Sequence, residues 1–82
     1  MTTPRTPLNW SDHLVARYAA VAWTPKGAYF LYKFESSFWL EFLTGSGSAE
    51  TVLMREANRD EAKAACEHHA ATGEWPEGAV KP

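Results

Sequence analysis

The middle of the chain carries apolar side chains at both odd and even positions. One segment has Ala28, Phe30, Tyr32 and Phe34 in one row and Tyr29 and Leu31 in the other; the next has Phe38, Leu40 and Phe42 in one row and Trp39 and Leu43 in the other. Successive side chains of a strand point to opposite faces, so a half-solvated sheet should alternate apolar with polar residues. The pattern therefore predicts a sheet whose two faces both need cover.

Turn residues divide this region into strands. Pro25 and Gly27 mark a turn, because proline presets the first central position of a turn and glycine favours the last. The predicted strands and connections are a strand over residues 28–35, a turn at 35–37, a strand over 38–44, a loop at 45–48 and a strand over 50–57. Residues 13–23 also alternate, which favours a strand. A helix through Ala22 stays open, since alanine favours helix.

A single helix is predicted after the last strand. Asn58 and Glu61 have the spacing of a capping box, in which two side chains satisfy amide groups of the first turn. The helix should end near Thr72, because Gly73 can take the left-handed conformation of a helix cap. Small or polar side chains follow a helical spacing along one stripe, at Ala62, Ala65, Cys66 and His69.

These elements predict an α+β fold. We expect an antiparallel sheet of three to four strands with one C-terminal helix packed on one face. The predicted organisation is a flexible N-terminal arm over residues 1–8, one small domain over residues 9–76 and a flexible tail over residues 77–82. A domain of this size has a marginal core and often gains stability from association.

The small side chains of the helix stripe suggest which sheet face the helix covers. We expect it to cover the face with the larger rings, formed by Phe30, Tyr32, Phe38, Leu40 and Phe42. The partner-binding residues would then be Tyr29, Leu31, Trp39 and Leu43, on the opposite face. Two alternatives stay open: the two faces could be exchanged, or Trp10 and Trp75 from the chain ends could cover the second face.

The composition limits the classes of partner that the chain could bind. The formal net charge of −2 argues against general nucleic-acid binding, which needs a basic patch. The 4 Trp, 3 Tyr and 4 Phe suit either a core or an interface, since aromatic side chains dominate both. The sequence has one cysteine, no apolar signal segment at its N-terminus and no long apolar run. These features predict a cytoplasmic protein without membrane contact.

The candidate chemical groups cluster in the helix. Cys66 and His69 share a helix face and could bind zinc, but a structural zinc site needs four ligands, and the sequence has no second cysteine. A cysteine in the middle of an apolar helix face is usually an inert packing residue. We therefore expect no catalytic residue, no metal and no cofactor, and we expect that the protein is not an enzyme.

Several short motifs resemble those of short phage and prophage proteins of unknown function. The matching residues are Leu8 and Trp10, Ala28 to Leu31 after Gly27, Trp39-Leu40, and Glu61-Ala62-Lys63-Ala64-Ala65. The chain departs from the pattern by a shift around Gly27 and by its second consecutive histidine, His69. The resemblance implies a small accessory protein made inside a bacterial host cell. Some phage proteins of this size block host defences, as anti-CRISPR proteins do.

The sequence thus predicts a non-enzymatic, phage-type protein-binding module. Its partner would be a host protein or a second copy of the chain, and an anti-CRISPR-like inhibitor would act by steric occlusion of a host defence complex. The alternatives are single-stranded nucleic-acid binding on the aromatic sheet, and a purely structural or regulatory homodimer.

Overall fold

The computed structural model of the chain describes residues 5–12 and 18–82, with backbone only at positions 12, 18 and 19. Five antiparallel strands follow one another in sequence order, and one helix succeeds them. They are β1 (Trp10–Asp12), β2 (Tyr18–Thr24), β3 (Gly27–Phe34), β4 (Ser37–Thr44), β5 (Ala49–Met54) and α1 (Arg59–Thr72). The predicted α+β class with a C-terminal helix is confirmed.

The predicted number of strands is wrong. The described residues form five strands, not three to four. The additional strand, β1, is only 3 residues long, too short to show an alternating pattern, and it forms by pairing with β2. The strand predicted within residues 13–23 is present from Tyr18 onward, so a helix through Ala22 is excluded. Residues 13–17 lie outside the described part of the chain.

Two-residue turns set the register of the central hairpins. Thr24 pairs with Gly27 across Pro25-Lys26, and Phe34 pairs with Ser37 across Glu35-Ser36. Glu35 takes a left-handed conformation with φ 57°. In the second hairpin each odd-numbered residue of β3 therefore pairs with an even-numbered residue of β4, as Leu31 does with Leu40. Each even-numbered residue of β3 pairs with an odd-numbered one, as Tyr32 does with Trp39.

The core lies between one face of the sheet and α1. The buried sheet residues packed there are Ala20, Ala22, Tyr29, Leu31, Phe38, Leu40 and Val52, and the helix contributes Ala62, Ala65 and Cys66. The helix side chains are small because the rings and leucines of the sheet fill the space between the two layers. Burial of these apolar side chains is the main favourable contribution to folding.

Both ends of α1 form as the sequence predicts. Asn58 accepts a hydrogen bond from the Glu61 backbone N–H at 2.8 Å, and the Glu61 carboxylate accepts one from the Asn58 N–H at 3.0 Å. Gly73 ends the helix with φ 80°, and its N–H donates to the His69 carbonyl at 2.7 Å. The capping box and the left-handed cap are therefore confirmed.

The chain ends contact the fold in the parts that the structure describes. The Thr6 N–H donates to the Glu67 carbonyl at 3.0 Å, and Val80 forms an antiparallel bridge with Leu53. The bridge occupies the outer edge of β5 at one position. The predicted division into residues 1–8, 9–76 and 77–82 stays a prediction, but residue 6 and residue 80 are joined to the domain by these bonds. None of the described helices has the length and hydropathy needed to span a membrane.

Candidate functional site

The face of the sheet turned away from α1 is the larger candidate surface, and we call it the outer face. Its described side chains come from all five strands: Ser11; Val21 and Trp23; Ala28, Phe30, Tyr32 and Phe34; Ser37, Trp39, Glu41 and Leu43; and Ala49, Thr51 and Leu53. No helix of the described residues lies on this face, since α1 packs on the opposite one. The sequence-level inference that both sheet faces carry apolar side chains is therefore correct.

The predicted assignment of residues to faces is wrong for β3. Tyr29 and Leu31, predicted to bind a partner, are 2% and 0% exposed and lie in the core with α1. Trp39 and Leu43 lie on the outer face, as predicted, and Leu43 is 37% exposed. Phe30 and Tyr32, predicted to lie beneath the helix, are on the outer face instead.

The error has a single cause. A turn of three residues at 35–37 would pair Phe34 with Phe38, whereas the structure pairs Phe34 with Ser37. A shift of one residue in a strand pairing moves every side chain of one strand to the other face. Phe38, Leu40 and Phe42 stay on the helix side, and β3 is reversed relative to them.

Exposed aromatic side chains mark the outer face. Trp23 is 73% exposed and Phe34 is 63% exposed, at two ends of the face. Trp23 also meets Phe30 edge-to-face, with ring centroids 6.1 Å apart. Large exposed apolar groups gathered on one surface are typical of interaction sites, whereas scattered single ones are common on any protein.

Among the described strand residues, Glu41 is the one carboxylate on the outer face. It lies directly opposite Phe30 and opposite Thr51 on the other neighbouring strand, and its strand neighbours on the same face are Trp39 and Leu43. The Tyr32 hydroxyl donates a hydrogen bond to Glu41 Oε1 at 2.9 Å. The carboxylate is half-buried and is held by this bond.

A second cluster surrounds His69 beneath the sheet. Its Nδ1 lies 2.7 Å from the Tyr29 hydroxyl oxygen, and its Nε2 lies 3.2 Å from Glu50 Oε1. Trp75 stacks on the imidazole with centroids 4.3 Å apart, and its indole N–H donates to the same Glu50 oxygen at 2.9 Å. The sequence placed His69 on the buried stripe but gave no sign of its partners, which come from two strands and the segment after α1.

Burial determines the protonation of this cluster. It lowers the pKa of His69 below the ordinary value of 6.5 and outweighs the Glu50 carboxylate, which raises the pKa. Burial, with smaller contributions from Cys66 and Glu50, also raises the pKa of the Tyr29 hydroxyl. Tyr29 is 2% exposed as a residue, and a hydroxyl that is difficult to ionise is poorly suited to act as a nucleophile. The cluster resembles a hydroxyl–imidazole–carboxylate relay in its connections, but its tyrosine is buried between the sheet and α1.

Open space lies on one side of the His69 cluster. A groove of about 580 Å³ is bordered by Phe42, Glu50, His69 and Lys81 among others. No described side-chain N or O atom that is fully buried lacks a hydrogen-bond partner. Among the described residues, no unsatisfied buried atom therefore identifies a ligand for this groove.

Cys66 is a free, buried cysteine of α1. Cys66 is 0% exposed, and burial together with the neighbouring Glu67 raises the pKa of its thiol, so it packs as a small apolar side chain. Among the described residues no three His, Cys, Asp or Glu side chains come together as a metal site would require. His68 is half-buried on a different side of the helix from Cys66.

Glu67 is a buried residue that sequence reasoning missed. Arg5 Nε donates to its Oε1 at 2.9 Å, and the Leu8 N–H and the Trp10 indole N–H donate to its Oε2, each at 3.2 Å. The guanidinium of Arg5 also forms an ion pair with it. Its position beside the apolar stripe was the only available sign, since its partners lie about 60 positions earlier in the chain. These bonds hold residues 5–10 against α1 and place Trp10 on the helix side.

Trp10 and Trp75 therefore do not cover the outer face. Both pack against the core on the helix side, where Trp75 also meets Tyr29 edge-on. The fold and the site together define an α+β protein with a helix on one side of the sheet and an aromatic outer face on the other. Comparisons with protein-family models, with curated proteins and with solved structures found no match to the chain.

Proposed function

We propose that the chain is a non-enzymatic protein-binding module that binds a second, different protein through the outer face. The observation that carries this proposal is the exposure of Trp23, Phe34 and Leu43 on one sheet face, beside the half-buried Phe30 and Trp39. Tryptophan and other aromatic side chains are enriched among the residues that dominate binding energy at protein interfaces.

The charge of the face favours protein over nucleic acid. A surface that stacks unpaired bases needs lysine or arginine beside its rings to neutralise phosphates. On the outer face, the described strand residues include no lysine or arginine, and the ionised side chain among them is Glu41. A carboxylate in the middle of the surface would repel a phosphate backbone.

The same carboxylate disfavours self-association through the outer face. In a two-fold symmetric dimer the same patch of both subunits meets, so an axis through the middle of the face would bring two Glu41 carboxylates close together. Like charges brought together at an interface oppose binding. A different protein can instead supply a complementary charge.

The resemblance to short phage proteins makes a bacterial protein the first partner to test. Binding over the face of a five-stranded sheet would cover the surface of that partner, and steric occlusion is the inhibition that such binding produces. An anti-CRISPR-like role would be the case in which the covered surface belongs to a host defence complex.

Site-directed photo-crosslinking tests the proposal. A photoreactive benzoylphenylalanine replaces Trp23 in one variant and Glu74, an exposed residue following α1, in the control. In bacterial lysate we expect position 23, and not position 74, to crosslink one recurring protein. The same protein, once purified, should bind the unmodified chain and should bind Leu43→Ser at least about tenfold more weakly, as expected for truncation of an apolar interface contact.

Three results would contradict the proposal. Equal crosslinking from positions 23 and 74 would show that the outer face is not selective. Crosslinking of the chain to itself alone would support the structural homodimer. Crosslinks removed by nuclease treatment would support single-stranded nucleic-acid binding. Circular dichroism of Leu43→Ser would verify that the variant keeps its fold.

A further inference from the structure

We infer that Glu41 and the aromatic side chains around it form a binding site for an arginine side chain of the partner protein. This inference rests on the proposed function and identifies the chemistry of its central contact. Arginine is the expected group because its planar guanidinium both pairs with a carboxylate and stacks on aromatic rings.

Glu41 places a negative charge where a bound partner would cover it. A carboxylate in the centre of an aromatic sheet face has a desolvation cost that increases when a partner covers it, unless the partner supplies hydrogen-bond donors. Among the described residues, no lysine, arginine or histidine forms an ion pair with Glu41. Its charge is therefore available to a partner, and a partner that covered it without a cation would bind poorly.

The hydrogen bond from Tyr32 holds the Glu41 carboxylate in place. The hydroxyl donates to Oε1 at 2.9 Å, which fixes the carboxylate on the sheet before any partner arrives. A carboxylate oxygen has more than one acceptor site, so Glu41 can accept further N–H groups while it keeps this bond. A group held in place in advance loses less conformational entropy on binding.

Two aromatic residues, Phe30 and Trp39, neighbour Glu41 on the outer face. Phe30 lies directly opposite Glu41 on β3, and Trp39 lies two positions away on β4 on the same face. Side chains directly opposite on neighbouring strands have Cβ atoms about 4.5–5.5 Å apart. A cation that reaches the carboxylate therefore lies next to aromatic rings, whose faces attract cations.

A small probe tests this site without knowledge of the partner. The chain is titrated with N-acetyl-arginine amide and, in parallel, with the citrulline analogue, which has nearly the same shape but no charge. The indole N–H signals of the tryptophans are followed by NMR. We expect the arginine probe to shift the Trp39 signal in a saturating manner and the citrulline probe to leave it nearly unchanged.

Two charge-neutralising variants complete the test. Glu41→Gln keeps an oxygen for the Tyr32 hydroxyl and removes the charge, and it should abolish the difference between the two probes. Glu74→Gln makes the same change in charge away from the outer face and should respond as the unmodified chain does. Equal shifts with arginine and citrulline, or an undiminished arginine response in Glu41→Gln, would overturn the inference.

Binding to the crosslinked partner separates the two proposals. Glu41→Gln should weaken binding about tenfold or more, as expected for loss of a charge-assisted hydrogen bond, and should reduce its dependence on salt. If Leu43→Ser weakens binding and Glu41→Gln does not, the arginine site is wrong and the outer face remains the binding surface. If neither variant weakens binding, both proposals fail.

Discussion

The Tyr29 hydroxyl oxygen and His69 Nδ1 lie 2.7 Å apart across the interface between the sheet and the helix. The imidazole has a second contact, because its Nε2 faces Glu50 Oε1 at 3.2 Å. An ionised carboxylate only accepts hydrogen bonds, so the proton of the neutral imidazole lies on Nε2. Nδ1 is then an acceptor, and the Tyr29 hydroxyl donates to it.

Removal of this hydroxyl should destabilise the fold. We expect Tyr29→Phe to lower the free energy of unfolding by about 1–3 kcal/mol, because His69 Nδ1 would stay buried without its donor. Urea denaturation at pH 7.5 measures the change. Tyr32→Phe removes a hydroxyl from the half-buried outer face and should cost less than Tyr29→Phe. Equal stability of Tyr29→Phe and the unmodified chain would contradict the assigned bond.

Stability should fall as the pH is lowered through the range in which histidine titrates. The pKa of His69 in the folded chain lies below its ordinary value of 6.5, so near and below pH 6.5 the unfolded chain binds more protons than the folded one. The contribution of His69 is complete above pH 6.5 and decreases as the pH falls toward the folded-state pKa.

Urea denaturation between pH 5 and pH 8 tests this dependence. His69→Asn should show a weaker fall in stability over that range than the unmodified chain. An unchanged slope in His69→Asn would assign the pH dependence to other groups.

The Glu67 carboxylate should contribute a second loss of stability at lower pH. Burial raises its pKa, but hydrogen bonds from Arg5, Leu8 and Trp10 outweigh this effect and hold the pKa below 4.5. Its stabilising contribution is therefore present above pH 4.5 and lost as the pH falls further. At pH 7 we expect Glu67→Gln to cost about 1.5–3 kcal/mol, the range for hydrogen bonds to a charged group.

Glu74→Gln provides the comparison for Glu67→Gln, because Glu74 is an exposed carboxylate near the end of the same helix. It should change stability by less than about 0.5 kcal/mol, as is usual for surface substitutions. Similar losses in both variants would show that general charge, and not the bonds to residues 5–10, is responsible.

Gly27 allows the close approach of two strands. A Cβ atom at this position would lie 2.2 Å from the Leu43 carbonyl oxygen, whereas one at Gly45 would meet no atom within 4 Å. We expect Gly27→Ala to destabilise the chain by about 1–3 kcal/mol, since the two backbones would have to move apart. Thermal denaturation should show little change for Gly45→Ala. Equal effects of the two changes would exclude this packing constraint.

The stability of two alanine variants tests which side chains of the sheet lie in the core. Leu31 is 0% exposed, so Leu31→Ala should cost about 2–5 kcal/mol, the range for a leucine removed from a core. Trp23 is 73% exposed, and Trp23→Ala should change stability by about 1 kcal/mol or less, as is typical of surface positions. A greater loss in Trp23→Ala than in Leu31→Ala would contradict the sheet register.

Local patterns determined much of this fold. Asn58 and Glu61 predicted the start of α1, and Gly73 predicted its end, because capping depends on residues within one helical turn. The central strands and the turn at Pro25-Lys26 were equally visible, since alternation and turn preference are local properties. The apolar character of both sheet faces could also be read from the chain.

Only the tertiary structure decided which face is which. The difference between a turn of two and a turn of three residues after Phe34 reversed β3, and sequence pattern does not resolve a single position in a turn rich in serine. Likewise, β1 is too short to show a period, and it forms because β2 offers a free edge. The bonds of Glu67 to residues 5–10 and of His69 to Tyr29 and Glu50 join groups far apart in the chain. Such contacts depend on how the layers pack, and no local pattern contains that information.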